Sequence, residues 1–134
     1  MPKVLIAEDD PLTLSGIELL LANTNYQVAA AVNDGAAVLD QLPTARPDIL
    51  VLDVDMPERS GLDILRTLRS RGDQRPVVIL TARINDRKAF EALQLGVNGL
   101  VIKSAAPRDL LTCLDAVGRA SAGSTMRCCS APWT

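Results

Sequence analysis

Asp53 closes the run Asp48-Ile49-Leu50-Val51-Leu52-Asp53, and three other apolar runs also end on polar groups. Val4-Leu5-Ile6-Ala7 leads into Glu8-Asp9-Asp10, Val77-Val78-Ile79-Leu80 into Thr81, and Leu100-Val101-Ile102 into Lys103. A carboxylate at the end of an apolar stretch is costly to bury unless something pairs with it. If these runs are parallel strands of one sheet, their polar ends converge on one edge, where open α/β sheets bind their ligands. Glu8, Asp9 and Asp53 would then stand together, and three neighbouring carboxylates cannot all stay ionised without compensation. Lys103 supplies one positive charge and a divalent hard cation two more, which neutralises the group. Magnesium suits such a site, because it keeps several waters and shares its coordination with a phosphate. A carboxylate flanked by a lysine and a magnesium ion can attack a phosphoryl group in line while the cations neutralise the incoming charge. Thr81 adds a hydroxyl that can donate to a phosphoryl oxygen.

The elements that must position these groups alternate along the chain. Short apolar runs near 3–7, 27–32, 48–53, 76–81 and 99–102 read as strands. Asp10-Pro11 starts a helix, the aspartate as cap and the proline in the first turn, and Leu14, Ile17, Leu20 and Leu21 form its apolar stripe. Asn33-Asp34-Gly35 turns into a short helix that Pro43 is expected to end. A third helix runs from Gly61 to Ser70, with Leu62, Leu65 and Leu68 on one side and Gly72 beyond it. Asp86 to Leu95 carries Phe90 and Leu93, with Gly96 at the stop position. Pro107 opens a last helix with Leu110, Leu111, Leu114 and Val117 inward. Strands alternating with helices imply a parallel sheet covered on both faces, and right-handed crossovers restrict its topology. The expected fold is α/β, a flavodoxin-like (βα)5 doubly wound five-stranded parallel sheet in the order 2-1-3-4-5. That order makes the first and third strands neighbours and sets Glu8-Asp9 beside Asp53.

Bulk properties narrow the function classes. The chain has 134 residues, the size of one domain, and is 48% hydrophobic but only 2% aromatic, so its core must be aliphatic. A net charge of −2 argues against a basic nucleic-acid surface over the whole domain. Cys113, Cys128 and Cys129 are odd in number and irregular in spacing, and the chain has no histidine, so neither a disulfide framework nor a zinc pattern is present. This composition points to a reducing cytoplasm. No signal sequence and no bilayer-spanning run is found, so no membrane partner is expected. Residues 119–134 lack a sustained apolar period. The expected division is a folded domain over 1–122 and, over 123–134, a flexible tail, a truncated linker or a cloning or reading-frame scar.

Taken together, Glu8-Asp9, Asp53, Met56-Pro57 with Gly61, Thr81-Ala82 and Lys103 resemble the receiver domain of two-component response regulators over about residues 3–120. The resemblance implies that Asp53 accepts a phosphoryl group from a histidine kinase or a small phosphodonor. It implies that Glu8, Asp9 and Asp53 hold Mg2+ with the backbone carbonyl of Asp55. Lys103 would pair with Asp53 and then with the phosphoryl group, and Thr81 would turn toward that group and couple it to the surface. Asp10, set before Pro11, is a cap rather than a ligand. Asp55 and Arg83, two positions past Asp53 and Thr81, would tune the lifetime of the phosphorylated state as an ion pair across the entrance.

Two departures qualify the resemblance. Leu100 stands where the family often has an aromatic residue, so the switch is expected to work without an aromatic rotamer change. Ser104, not proline, follows Lys103. Ser104-Ala105-Ala106-Pro107, with Asp10-Pro11 and Ser15-Gly16, looks most like the NarL/FixJ (LuxR-type) subfamily. Those proteins continue into a helix-turn-helix domain, which is absent from these residues. The implied function is a signalling phosphoacceptor with slow self-dephosphorylation rather than a metabolic enzyme. Its output would be transcription through the missing DNA-binding domain, with DNA as a partner only there and a homodimer formed on phosphorylation. A stand-alone receiver acting by protein contact is the alternative. A more remote one is a phosphatase of the haloacid-dehalogenase type, suggested by the D-x-D of Asp53-Val54-Asp55, although in that class the motif usually follows the first strand.

Overall fold

In the computed structural model, residues 2–56, 59–82, 87–105 and 108–120 and the strand 128–129 are described. The elements run β1 (Lys3–Ala7), α1 (Pro11–Ala22), β2 (Gln27–Val32), α2 (Gly35–Ala45), β3 (Ile49–Asp53) and α3 (Gly61–Ser70). They continue with β4 (Val77–Thr81), α4 (Arg87–Gln94), β5 (Gly99–Ile102), a 3-10 turn (Lys103–Ala105), α5 (Arg108–Ala120) and β6 (Cys128–Cys129). All sheet pairings are parallel, in the order β2-β1-β3-β4-β5-β6. The first five strands have the expected flavodoxin-like order, and each predicted strand is found within one residue of its expected limits.

Strand alternation sorts the core into two layers. Leu5, Leu50, Leu52, Val77, Ile79 and Leu100 face α2, α3 and α4. Val4, Ile6, Ile49, Val51, Val78, Leu80 and Val101 face α1 and α5. β3 and β4 are buried at every position, so they read as continuous apolar runs rather than alternating ones. The Asp10 cap behaves as the sequence predicts, and the structure adds caps at Asp34 and Ser60. Asp10 accepts from the Leu12 N–H at 3.3 Å and from the Thr13 hydroxyl at 2.6 Å, with Pro11 in the first turn of α1. Asp34 caps α2 through the Ala37 N–H at 2.8 Å, and Ser60 caps α3 through the Asp63 N–H at 3.2 Å.

Three local expectations are corrected. Pro43 does not end α2, which runs on to Ala45 and closes with Arg46 in the left-handed conformation at φ 47°. The Pro43 ring sits in the final turns, where an interrupted bond costs little of the helix. In α4 the buried residues are Ala89 and Ala92, with Leu93 packed beside them, while Phe90 is 57% exposed. The i, i+3 spacing fits Ala89–Ala92 as well as Phe90–Leu93, so the pattern alone does not choose between them. Within 123–134, expected to carry no regular structure, Cys128 and Cys129 pair with Gly99 and Leu100 as a sixth strand. Two residues are too few to show a periodicity. The proposed helix openers Asp86 and Pro107 lie outside the described residues.

Gly61 is where the fold meets the chemistry of the strand ends. A Cβ there would lie 2.4 Å from the Asp53 carbonyl oxygen, so only glycine lets α3 start against the end of β3. Gly61→Ala is expected to destabilise the chain by on the order of 1–3 kcal/mol in urea unfolding. Gly16, exposed in α1 with nothing within 4 Å of a built Cβ, makes the control. Gly16→Ala should leave stability unchanged or raise it by up to about 1 kcal/mol. Equal effects of the two substitutions would refute the close-approach argument.

Candidate functional site

The β1–β3 pairing brings Ala7 level with Leu52, so the residues that follow each strand meet at one sheet edge. Backbone bonds extend the ladder beyond the strands. Glu8 N–H donates to the Val32 carbonyl at 3.0 Å and Val54 N–H to the Leu80 carbonyl at 2.9 Å. By alternation Glu8 follows Ile6 and Asp53 follows Val51, which places both carboxylates on the α1–α5 side. Thr81 stands one residue beyond Leu80, the register partner of Asp53, and alternates with Ile79 toward the α3–α4 layer. Glu8, Asp53 and Thr81 are the buried polar residues among those described.

Lys103 reaches in from the turn after β5. Its Nζ lies 2.8 Å from Asp53 Oδ2, 3.2 Å from Glu8 Oε2 and 3.1 Å from Glu8 Oε1. Asp53 Oδ1 accepts from the Asp55 N–H at 3.1 Å, and Glu8 Oε2 from the Asp10 N–H at 3.1 Å. Glu8 Oε1 is buried and makes no hydrogen bond, although the Lys103 ammonium lies 3.1 Å away. Glu8, Asp9 and Asp53 each offer a carboxylate oxygen within 4.8 Å of the others, with Asp9 exposed. An unsatisfied buried carboxylate oxygen beside two further carboxylates is a donor set that fits a hard divalent cation.

The electrostatics follow from this crowding. Burial, and then the adjoining Asp53 carboxylate, push the Glu8 carboxyl up to about 7, against the pull of the Asp10 N–H and of Lys103. Burial works against the Lys103 ammonium, but Asp53 and Glu8 together outweigh it and raise its pKa. Asp10 is held below its usual range, first by the Thr13 hydroxyl, as suits a cap that stays ionised.

Of the residues singled out in the sequence, Glu8, Asp9, Asp53 and Lys103 therefore come together. Leu100 is fully buried in the α2–α3–α4 layer. Arg83 lies outside the described residues. The Asp55 carboxylate pairs with Lys88 in the first turn of α4. Sequence reasoning missed Lys88 because seven positions separate it from Thr81, and nothing in that spacing fixes where a helix will begin.

Residues 4–115 match the model of the response regulator receiver domain. The chain belongs to that family, the signalling phosphoacceptors of two-component systems. Among its curated relatives is the response regulator MprA of Mycobacterium avium (strain 104), 36% identical over 117 residues, which cover 87% of this chain and 51% of that protein. MprA of Mycobacterium tuberculosis (strain ATCC 25618 / H37Rv) is 35% identical over 117 residues, covering 87% of this chain and 50% of the relative. The chain thus spans about half the length of the curated relatives it matches. The non-phosphorylated receiver domain of the stress response regulator RcsB from Escherichia coli superposes with a TM-score of 0.86 at 25% identity, over 97% of this chain and 98% of that one. The receiver domain of NarL from Mycobacterium tuberculosis superposes with a TM-score of 0.80 at 26% identity, over 87% and 96% of the two chains. These structural neighbours agree with the subfamily resemblance. The phosphatase alternative fails on family and topology, since Asp53-Val54-Asp55 follows the third strand of a receiver sheet.

The raised Glu8 pKa sets a direction for stability. Its carboxyl binds a proton more tightly folded than unfolded, so its contribution is fully present below the unfolded value of 4.5 and is lost as pH rises through about 7. In metal-free buffer the chain should be less stable at pH 8 than at pH 5, by at most about 3 kcal/mol from this group. Glu8→Gln should remove most of that difference in urea unfolding at the two pH values. A difference that survives the substitution unchanged would assign it to other groups.

Proposed function

We propose that this chain is a phosphorylation-dependent switch in which Asp53 accepts a phosphoryl group from a histidine kinase or a small phosphodonor. The observation that carries the proposal is the Lys103 ammonium, 2.8 Å from a buried Asp53 oxygen and shared with Glu8. An Asp53 oxygen attacks phosphorus, the bond from phosphorus to the donor breaks, and its electron pair leaves with the donor. Lys103 holds the Asp53 carboxylate in place beforehand and then meets the negative oxygens of the phosphoryl group. Thr81 donates its hydroxyl to one of those oxygens. Glu8, Asp9 and Asp53, with the Asp55 backbone carbonyl, would hold Mg2+. That cation, when bound, neutralises the charge that develops on the transferring group.

Signalling follows from a population shift between two packings, biased by the contacts of Thr81 and Lys103 with the phosphoryl group. Leu100, smaller than an aromatic ring and without a polar tip, stays buried, so the shift runs through the segment after Thr81 and through α4. Receiver family membership supports action in the cytoplasm, and no helix among the described residues is long and apolar enough to cross a membrane. We assign the receiver to residues 1–122 and treat 123–134 as an extension, of which β6 is described. The partial coverage of the MprA relatives favours an output through a further domain, with transcription as its form and a homodimer as the active state. Protein contact by the receiver alone is the second reading.

Mass spectrometry after incubation with a small phosphodonor and Mg2+ should show one added phosphoryl group. Asp53→Asn should gain none, and chelation should abolish the gain in the wild type. Persistent labelling of Asp53→Asn would overturn the assignment. With beryllium fluoride as phosphoryl mimic, backbone amide shifts should spread from the acidic edge through residues 82–103. Shifts confined to residues 8–10 and 53–55 would mean that the chain does not switch in this way.

A further inference from the structure

We infer that Lys88 is a positioning residue that closes the mouth of the acidic site by pinning the Asp55 carboxylate, and so sets how fast Asp53 is loaded and how long it stays phosphorylated. The inference rests on the function proposed above and adds to it a residue from α4.

Lys88 stands where its charge is unfavourable to its own helix. It occupies the first turn of α4 next to Arg87, and that turn has no acidic residue. A cation there opposes the helix dipole, whose positive end lies at the N-terminus. The side chain instead leaves the helix, and Nζ bonds Asp55 Oδ1 in the loop after β3. Asp55 is the residue whose N–H donates to Asp53 Oδ1 at 3.1 Å. The ion pair therefore ties α4 to the residue that abuts the proposed acceptor, and spans the two segments that follow β3 and β4.

Charge gives the pair a purpose at that point. Asp55 adds a fourth carboxylate to Glu8, Asp9 and Asp53, with its side chain 59% exposed. Lys103 and a divalent cation balance the first three, and Lys88 balances the fourth. An approaching phosphodonor is an anion and would be repelled by an unpaired Asp55. A water molecule that attacks the aspartyl phosphate must enter through the same mouth, where a held side-chain pair obstructs it. Hydrolysis by that water breaks the bond between phosphorus and the Asp53 oxygen, releases inorganic phosphate and returns the carboxylate.

The pair is half exposed, so its effect belongs in rates rather than in stability, on the scale of about two- to fivefold. Lys88→Ala should slow loading by a small dianionic phosphodonor and speed the decay of the phosphorylated chain, each by about that factor. Lys88→Arg should restore both rates. In an Asp55→Asn background, Lys88→Ala should no longer slow loading, because no carboxylate is left unpaired. Raising ionic strength should narrow the gap in loading between wild type and Lys88→Ala. Thermal unfolding of each variant should stay within about two degrees of the wild type.

Loading and decay of Lys88→Ala equal to the wild type would overturn the inference and leave the phosphoacceptor assignment standing. Equal rate changes in Lys88→Ala and Lys88→Arg, or a change that persists in the Asp55→Asn background, would overturn it as well. A wild-type chain that gains no phosphoryl mass on Asp53 would overturn both.

Discussion

Burying Asp53 and Glu8 at the end of an aliphatic sheet is affordable because Lys103 reaches both of them, at 2.8 Å and 3.1 Å. Removing one partner of such a group leaves an uncompensated buried charge, which typically costs about 3–5 kcal/mol. The arrangement depends on strand order. β1 and β3 must be neighbours for Glu8 to meet Asp53, and β5 must follow β4 for Lys103 to arrive from the far side. α3 must also start directly against β3, which Gly61 permits. Each of these is a constraint on backbone placement imposed by one charge cluster.

The rest of the molecule divides into a fixed platform and a weakly held element. β3, β4 and their flanking leucines are fully enclosed, and α1, α3 and α5 each bury large side chains against them. α4 differs, because its buried contacts come from Ala89 and Ala92, which contribute little apolar area. Its other ties are the half-buried Leu93 and ion pairs at the surface, Lys88 to Asp55 and Arg66 to Glu91 at 3.8 Å. Surface pairs are worth about 0–1 kcal/mol each. An element with so few buried contacts can be repositioned at small cost, and α4 is the one that borders the site on the Thr81 side. Phe90 lies exposed on the same helix.

The far end of the sheet is built for rigidity. The Arg69 guanidinium, at the last turn of α3, donates to the carbonyls of Asp73 and Arg75 and to Asn98 Oδ1 at 2.9 Å. Asn98 Oδ1 also accepts from the Val77 N–H at 3.0 Å. Burial holds the Arg69 pKa below its usual value, yet an arginine stays charged, so these acceptors take up its donors. The loops at this end are thereby tied to one another.

The sequence by itself determined the strand limits and order, the cap at Asp10, and the convergence of Glu8, Asp9, Asp53 and Lys103. These were legible because apolar runs of strand length fix their own polar ends, and caps act over three residues. Tertiary structure decided what depends on approach between distant segments. It chose Ala89 and Ala92 over Phe90 as the buried face of α4, because both pairings share the i, i+3 spacing and only packing chooses between them. It paired Asp55 with Lys88, a contact across 33 residues that only the placement of α4 can create. It let α2 run past Pro43 and added β6 beside β5, since helix ends and sheet edges are set by the neighbours they find. Local pattern fixes which groups a strand delivers, and packing alone fixes what meets them.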